Sequence, residues 1–383
     1  MSHLYIHIPF CRSACLYCDY AFTVRKESIP SYISALCREA ELRAGYLNGG
    51  KVSTVYFGGG TPSVLDYRQV EKVLNTVKNN FSCSASTEYT IECNPEHCTP
   101  QYLHELKSLG FNRISIGVQS LYDKELTLLH RRHTGAEAAC AVENAVLAGF
   151  SNCNSDIIFG LPGQSMRNVG YTVRTIAAMG VTHISAYALT VHEKTALAKL
   201  IDRGRVHAPS HRRQAFHFDQ TFELMHSLGY TRYEVSNYAK PGFESRHNSG
   251  YWSGAHYLGL GSSAHSYNGF SRQCNCTDVR EYIKKLSYVP ENGNADGLFQ
   301  MEMITPEMAL IEKIALGLRT SRGLQCAELM QLMTSAQYDS FAAQAKILEA
   351  QGFLTISDEA VILTPKGMLY ADKAAEVLLG GVK

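Results

Sequence analysis

The chain has 383 residues, of which 45% are hydrophobic and 19% charged, and its formal net charge is +1. Such a composition buries an ordinary core, at roughly 100–200 residues per domain, and gives no global electrostatic reason for binding nucleic acid or an anionic membrane. No run approaches the ~18 uninterrupted apolar residues of a spanning helix. The opening MSHLYIHIPF lacks the basic and long apolar regions of a secretory signal, so the expected location is cytoplasmic.

In chain order, six short apolar runs bounded by turn residues read as buried strands: 4–9, 52–59, 89–95, 113–119, 155–162 and 183–190. Helical patterns lie between them at 29–48, 67–79, 100–109, 136–148 and 166–179. Strand–helix alternation implies a parallel sheet with right-handed crossovers. Six units predict an α/β fold, a partial (β/α)6 barrel, with its chemistry on the loops after the strands. Residues 212–229 read as a further amphipathic helix, 243–275 as a polar, Gly- and aromatic-rich stretch of weak periodicity, and 286–298 as a linker. Helices at 306–319, 325–333 and 336–351, a hairpin at 352–364 and a helix at 365–379 resemble a winged-helix domain. Its sparse basic residues do not favour DNA. The expected organisation is 1–230 barrel, 231–299 connecting segment and 300–383 C-terminal domain.

Twelve cysteines are many for a cytosolic chain and point to metal or redox chemistry before disulfides. Cys37, Cys140 and Cys326 fall in helical patterns and read as small buried hydrophobes. Cys274 and Cys276 form a close pair for which a metal role is weighed. The sharpest feature is Cys11-x3-Cys15-x2-Cys18, directly after the first strand. A [4Fe-4S] cluster ordinarily takes four thiolates, so three on one short loop leave an iron open to an outside ligand. The spacing alone also permits a zinc site of three cysteines with His7 as a distant fourth ligand.

Other strand-end loops carry chemistry as well. Gly58 to Pro62 reads GGGTP, three residues without side chains that let backbone approach a ligand. No Gly-Lys-Ser/Thr follows, so it is not a phosphate loop. Glu92 in IECNPE suits a cationic or hydroxyl partner. Gln119 in GVQS both donates and accepts, Arg131 offers a fork for a carboxylate, and Asp156 in DIIFGLPGQS accepts from hydroxyls. Each alone also reads as an ordinary strand-end polar residue.

CRSACLYC after YIHIP resembles the radical S-adenosylmethionine (SAM) superfamily, over residues 4 to about 380. Within it the chain is similar to the coproporphyrinogen-oxidase-like branch, and there to the HemW-type heme chaperones. The resemblance implies a cluster on Cys11, Cys15 and Cys18 and a reductant that supplies it. It implies SAM contacts from Tyr5, Tyr17, Gly59, Gly60, Thr61, Glu92, Gln119, Arg131 and Asp156. Arg132 sits beside Arg131 and makes that assignment the least secure of the set.

The branch is decided by departures. Coproporphyrinogen dehydrogenases carry a fourth cysteine two residues after the third, where this chain has Tyr20, and a longer segment before the cluster motif than the ten residues here. His247 to Trp252, HNSGYW, fits the HNxxYW signature of the chaperones and holds the sole tryptophan. A neutral imidazole can ligate heme iron, and nearby aromatics can pack on a macrocycle, so His247 is the expected heme ligand; a merely hydrogen-bonded His247 is the plainer reading. The resemblance therefore implies a heme chaperone without coproporphyrinogen oxidase activity. It would bind heme and deliver it to acceptor hemoproteins such as respiratory cytochromes. The rival functions are an oxygen-independent coproporphyrinogen III dehydrogenase and another radical SAM enzyme acting on a porphyrin.

Overall fold

In the six predicted strands every second side chain is apolar, and those are the ones that meet the helices. The computed structural model of the protein describes residues 2–288, 295 and 297–380. β1 (Ser2–Ile8), β2 (Val52–Gly59), β3 (Cys83–Cys93), β4 (Arg113–Gln119), β5 (Asn152–Phe159) and β6 (His183–Ala188) lie side by side in that order, all parallel. Leu4, Ile6, Ile8, Val55, Phe57, Ile91, Ile114, Ile116 and Ile184 are fully buried in the core. The alternate set is polar: His3, Tyr5 and His7 on β1, Thr54 and Tyr56 on β2, Glu88, Thr90 and Glu92 on β3, Arg113 and Ser115 on β4, Asn154 and Asp156 on β5. Period-two alternation puts this set on the opposite face of the sheet, so one face packs helices and the other is lined for chemistry.

The crossovers are α1 (Ile29–Leu42), α2 (Tyr67–Asn80), α3 (Pro100–Leu109), α4 (Asp123–Leu128) with α5 (Gly135–Leu147), and α6 (Met166–Ala178). Their ends follow local rules. In α3 Thr99 accepts from the Tyr102 N–H, Pro100 holds the first position, and Gly110 closes the helix at φ +100°. Asp66 with Gln69 and Thr134 with Glu137 form capping boxes on α2 and α5. Cys37 and Cys326 are buried, as expected, but Cys140 is exposed. Cys140 sits on the outer stripe of α5, whose inner stripe is Ala138, Ala141, Val142 and Ala145.

After β6 come α7 (Ala196–Asp202), α8 (His211–Ser227), β7 (Thr231–Arg232) and β8 (Asn237–Ala239), the last antiparallel to β6. The weakly periodic stretch is ordered structure: α9 (Arg246–Ser253), β9 (His256–Leu260), β10 (His265–Tyr267) and β11 (Ser271–Asn275). β9 adds to β1 in parallel, giving seven adjacent parallel strands, and β10 and β11 continue the sheet antiparallel. After α10 (Val279–Ser287), β12 (Phe299–Met303) forms the outer edge. Most of the 286–298 stretch read as a linker lies outside the described residues; of its described members Leu286, Ala295 and Leu298 are buried, and Ser287, Tyr288 and Gly297 are exposed.

The added strands are held by a buried ion pair on α1. Arg43 bonds Glu39 (3.1 Å), Ser266 (3.2 Å), Asn275 (3.3 Å) and Gln273, while Glu39 accepts from Gly261 N–H (2.7 Å) and the Tyr282 hydroxyl (2.6 Å). These long-range partners lie more than 200 residues away in sequence, so sequence periodicity could not reveal the strands they fix.

The C-terminal unit comprises α11 (Pro306–Gly317), β13 (Leu324–Gln325), α12 (Cys326–Leu332), α13 (Ser335–Ala350), β14 (Leu354–Ile356), β15 (Ala360–Leu363), α14 (Pro365–Met368) and α15 (Ala371–Gly380). The predicted hairpin is β14–β15, with β13 as its third strand. It meets the barrel through a bridge between Glu234 and Thr320 and the Arg272–Glu312 ion pair (2.8 Å).

Candidate functional site

The loops after the parallel strands converge on one cavity of about 520 Å³. The three cysteines, Tyr5, Tyr17, Gly59, Gly60, Thr61, Glu92, Gln119, Arg131, Asp156 and His247 all line it. Residues spread from position 5 to 247 are thus brought together by strand register: Tyr5 pairs with Tyr56 across β1–β2, Ile8 with Gly59, and Glu92 with Ser115.

The cysteine loop is tied back to its strand by Thr23, whose carbonyl accepts the Cys11 N–H (2.9 Å) and whose N–H reaches the Pro9 carbonyl (2.7 Å). Thr61 points its hydroxyl at Cys11 Sγ and Arg131 its guanidinium at Cys15 Sγ, each at 3.6 Å. Burial pushes the Cys11 thiol up to about 11 and raises Cys18 as well, and a bound metal displaces such protons. Among the described residues no three His, Cys, Asp or Glu side chains converge as ligands of a single ion. His7, the fourth ligand of a zinc reading, has its Nδ1 3.1 Å from the Tyr5 hydroxyl and its Nε2 3.4 Å from the Ala21 carbonyl. Three thiols beside an open cavity fit a cluster, whose thiolates sit on separate irons rather than on one point. Cys274 Sγ lies 3.5 Å from both His265 Nε2 and the Asn275 carbonyl, with no further ligand group beside it among the described residues.

Glycine is required next to the cysteines. Gly59 has φ +117°, and a Cβ there would stand 2.7 Å from the His7 ring; a Cβ on Gly60 would stand 2.9 Å from Cys11 Sγ. The backbone therefore closes on the cluster loop where a side chain would block it.

Glu92 accepts from the Tyr56 hydroxyl (2.8 Å) and the Gly59 N–H (3.2 Å). Burial, then the nearby Asp156 charge, push its carboxyl up to about 7. Asp156 takes bonds from Ser115 (3.2 Å) and Asn154 (2.8 Å), and burial raises it too. Gln119 ends β4 at φ +63°, a left-handed conformation rare for a residue with a side chain. Arg131 bonds Asn94 (2.8 Å) and the Gly117 carbonyl (2.9 Å), and its buried Nε has no partner. Arg132 is exposed.

His247 lies on α9 and is 1% exposed. Its Nδ1 is 2.6 Å from the Thr54 hydroxyl and its Nε2 3.0 Å from the Tyr251 hydroxyl. Burial, then His3 and Arg113, hold its pKa well below the usual range, so the ring is neutral. Tyr56 stacks on it at 4.8 Å and Tyr251 meets it edge-on at 4.9 Å. The aromatic neighbours thus pack on His247 itself. Iron ligation requires Nε2 to exchange the Tyr251 hydroxyl for the metal.

Sequence reading does not single out Thr54, Tyr56, Glu88 and Asn94, and names Tyr251 only as part of the HNxxYW signature. Asn94 had a signal, lying inside IECNPE; Thr54 and Tyr56 had only their alternate places in VSTVYFGG.

Comparison with known proteins adds ancestry. The profile of the radical SAM superfamily matches residues 5–176, and that of the HemN C-terminal domain residues 304–370. The chain is 34% identical to the heme chaperone HemW of Mycobacterium tuberculosis, over 98% of this chain and 94% of that one. It is 32% identical to HemW of Bacillus subtilis, over 99% and 100%. Among solved structures, the coproporphyrinogen III oxidase HemN of Escherichia coli, a radical SAM enzyme, superposes with a TM-score of 0.83 at 24% identity, covering 98% of this chain and 89% of that one.

Proposed function

The chain belongs to the radical SAM superfamily and, within it, to the HemW family, and we propose that it is a heme chaperone. In this reading it holds a [4Fe-4S] cluster on Cys11, Cys15 and Cys18 with SAM beside it, binds heme, and passes heme to acceptor hemoproteins such as respiratory cytochromes. The observation that carries the reading is the single cavity along which the three thiols and the polar strand-end residues gather.

A cluster held by Cys11, Cys15 and Cys18 would supply one-electron reducing power to SAM, drawn from an external reductant. The chain's own residues bind and orient. Gly59, Gly60 and Thr61 bring backbone against the methionine end of SAM. Glu92 offers a carboxylate to its ammonium. The unpartnered Nε of Arg131 remains available for its carboxylate, while Asn94 and Gly117 hold the guanidinium in place. Asp156, fixed by Ser115 and Asn154, faces ribose hydroxyls. Tyr5, Tyr17 and Gln119 complete the wall. Residues 1–230 carry this site, 231–299 bring α9 and His247 to it, and 300–383 form the winged-helix-like unit.

His247 is proposed as the heme ligand. Its geometry suits a neutral imidazole with Nδ1 tied to Thr54, the second partner that metal-bound histidines commonly have. The test is an anaerobic heme titration of cluster-reconstituted protein, followed by absorption, with His247→Ala and Tyr251→Phe alongside. Saturable binding, a shifted Soret band in His247→Ala and an unshifted one in Tyr251→Phe are expected. An unshifted band in His247→Ala moves the ligand elsewhere. No binding by the unaltered chain removes the chaperone reading and directs attention to porphyrinogen turnover.

A further inference from the structure

Two guanidinium groups line the cavity, and they differ in what they have left to give. The two terminal NH2 groups of Arg131 are held by Asn94, Gly117 and Cys15, which leaves it only the buried Nε. Arg132, the next residue, is exposed on the cavity wall, and among the described residues no hydrogen bond or ion pair engages it. The imidazoles on the same wall are occupied: His130 bonds the Ala14 carbonyl at 2.8 Å, and His192 lies 3.3 Å from Asp19. The same cavity presents two aromatic rings with open surface. Tyr20 is 70% exposed and Tyr187 43% exposed, although both belong to its lining. Single exposed rings are ordinary on a protein surface, but these two line a concave cavity, where aromatic surface suits a ligand. An uncommitted guanidinium near open aromatic faces is the pair of features that recognises a flat apolar ring system bearing carboxylates.

We infer that Arg132 anchors a propionate carboxylate of heme, with the macrocycle lying against the open rings of Tyr20 and Tyr187 at the cavity mouth. The inference rests on the reading of the chain as a heme binder and adds where the macrocycle sits and what holds its acidic edge. It also gives Tyr20 a use: at the position where decarboxylating members of the branch carry a fourth cysteine, this chain offers an apolar face.

The test compares hemin with hemin dimethyl ester, in which both propionates are esterified, on the cluster-reconstituted full chain. The unaltered protein should bind the diacid more tightly than the diester. In Arg132→Ala that preference should fall on the order of five- to ten-fold, with the Soret position of bound heme and the binding of SAM unchanged. Arg132→Lys should recover part of it. A preference that survives intact in Arg132→Ala overturns the inference and leaves heme binding standing. Absence of saturable binding of either probe by the unaltered chain overturns the heme reading and the inference with it.

Discussion

Glu92 is a part-buried carboxylate on the cavity wall, placed between Tyr56, the Gly59 amide and Asp156. An ammonium partner prefers its ionised form, so SAM affinity is expected to rise with pH up to about 7 and level off above it. Glu92→Gln should bind SAM more weakly by about ten-fold or more and lose the pH dependence; equilibrium dialysis across pH 5.5–8.5 measures both. The stability sign runs the other way. The unfolded carboxyl titrates near 4.5 and the folded one near 7, so the native chain binds more protons between those values and stability falls as pH rises through them. Ligand-free Glu92→Gln should therefore be more stable than the unaltered chain at pH 8, by up to about 3 kcal/mol, and melt at a higher temperature. An unchanged melting temperature would place the carboxyl's titration near its ordinary value.

At the scale of elements, α9 carries the HNSGYW signature to the cavity, and its first turn shows how it is held. Glu88 on β3 accepts the Arg246 and His247 N–H groups, each at 3.2 Å, and Ser245 accepts that of Asn248 at 3.3 Å. The free donors of the helix start are thus satisfied from a strand 158 residues earlier. Negative charge at a helix N-terminus is favourable in itself. Glu88→Ala should loosen this turn by about 1–2 kcal/mol, read as faster amide exchange at 246–248 and a weakened His247–Thr54 contact. Equal exchange in both proteins would show that the turn holds without Glu88.

Across the whole molecule, the Glu39–Arg43 pair joins the barrel's first helix to the strands added after residue 255. Breaking a buried pair leaves one charge without a partner, which commonly costs about 3–5 kcal/mol. Arg43→Met should lower the melting temperature by several degrees, and Glu39→Gln in the same chain should recover part of the loss. If the single change is neutral, the added strands are held by apolar packing instead. Placement at the sheet edge also bears on the cavity, since β9 lies against β1 and α9 packs over β2.

What the sequence by itself determined is whatever local chemistry encodes. Strand alternation in LYIHI and RISIGV announced the parallel sheet, and helical patterns such as 100–109 marked its crossovers. Cys11, Cys15 and Cys18, GGGTP and the strand-end polar residues marked the loops that carry chemistry, because those loops need particular residue types at fixed spacing. Only the tertiary structure decided the rest. The 243–275 stretch looked irregular because its strands are short and are stabilised by distant partners such as Arg43. His247 read either as a heme ligand or as a hydrogen-bonded histidine, and nothing local reveals that its partners are Thr54 and the stacked ring of Tyr56. Resemblance alone assigns Arg131 over its neighbour Arg132, and only the folded chain shows Arg131 held by Asn94, Gly117 and Cys15 while Arg132 stands exposed. Residue type is a local property, but a side chain's partners depend on strand register and helix placement, which the chain acquires only on folding.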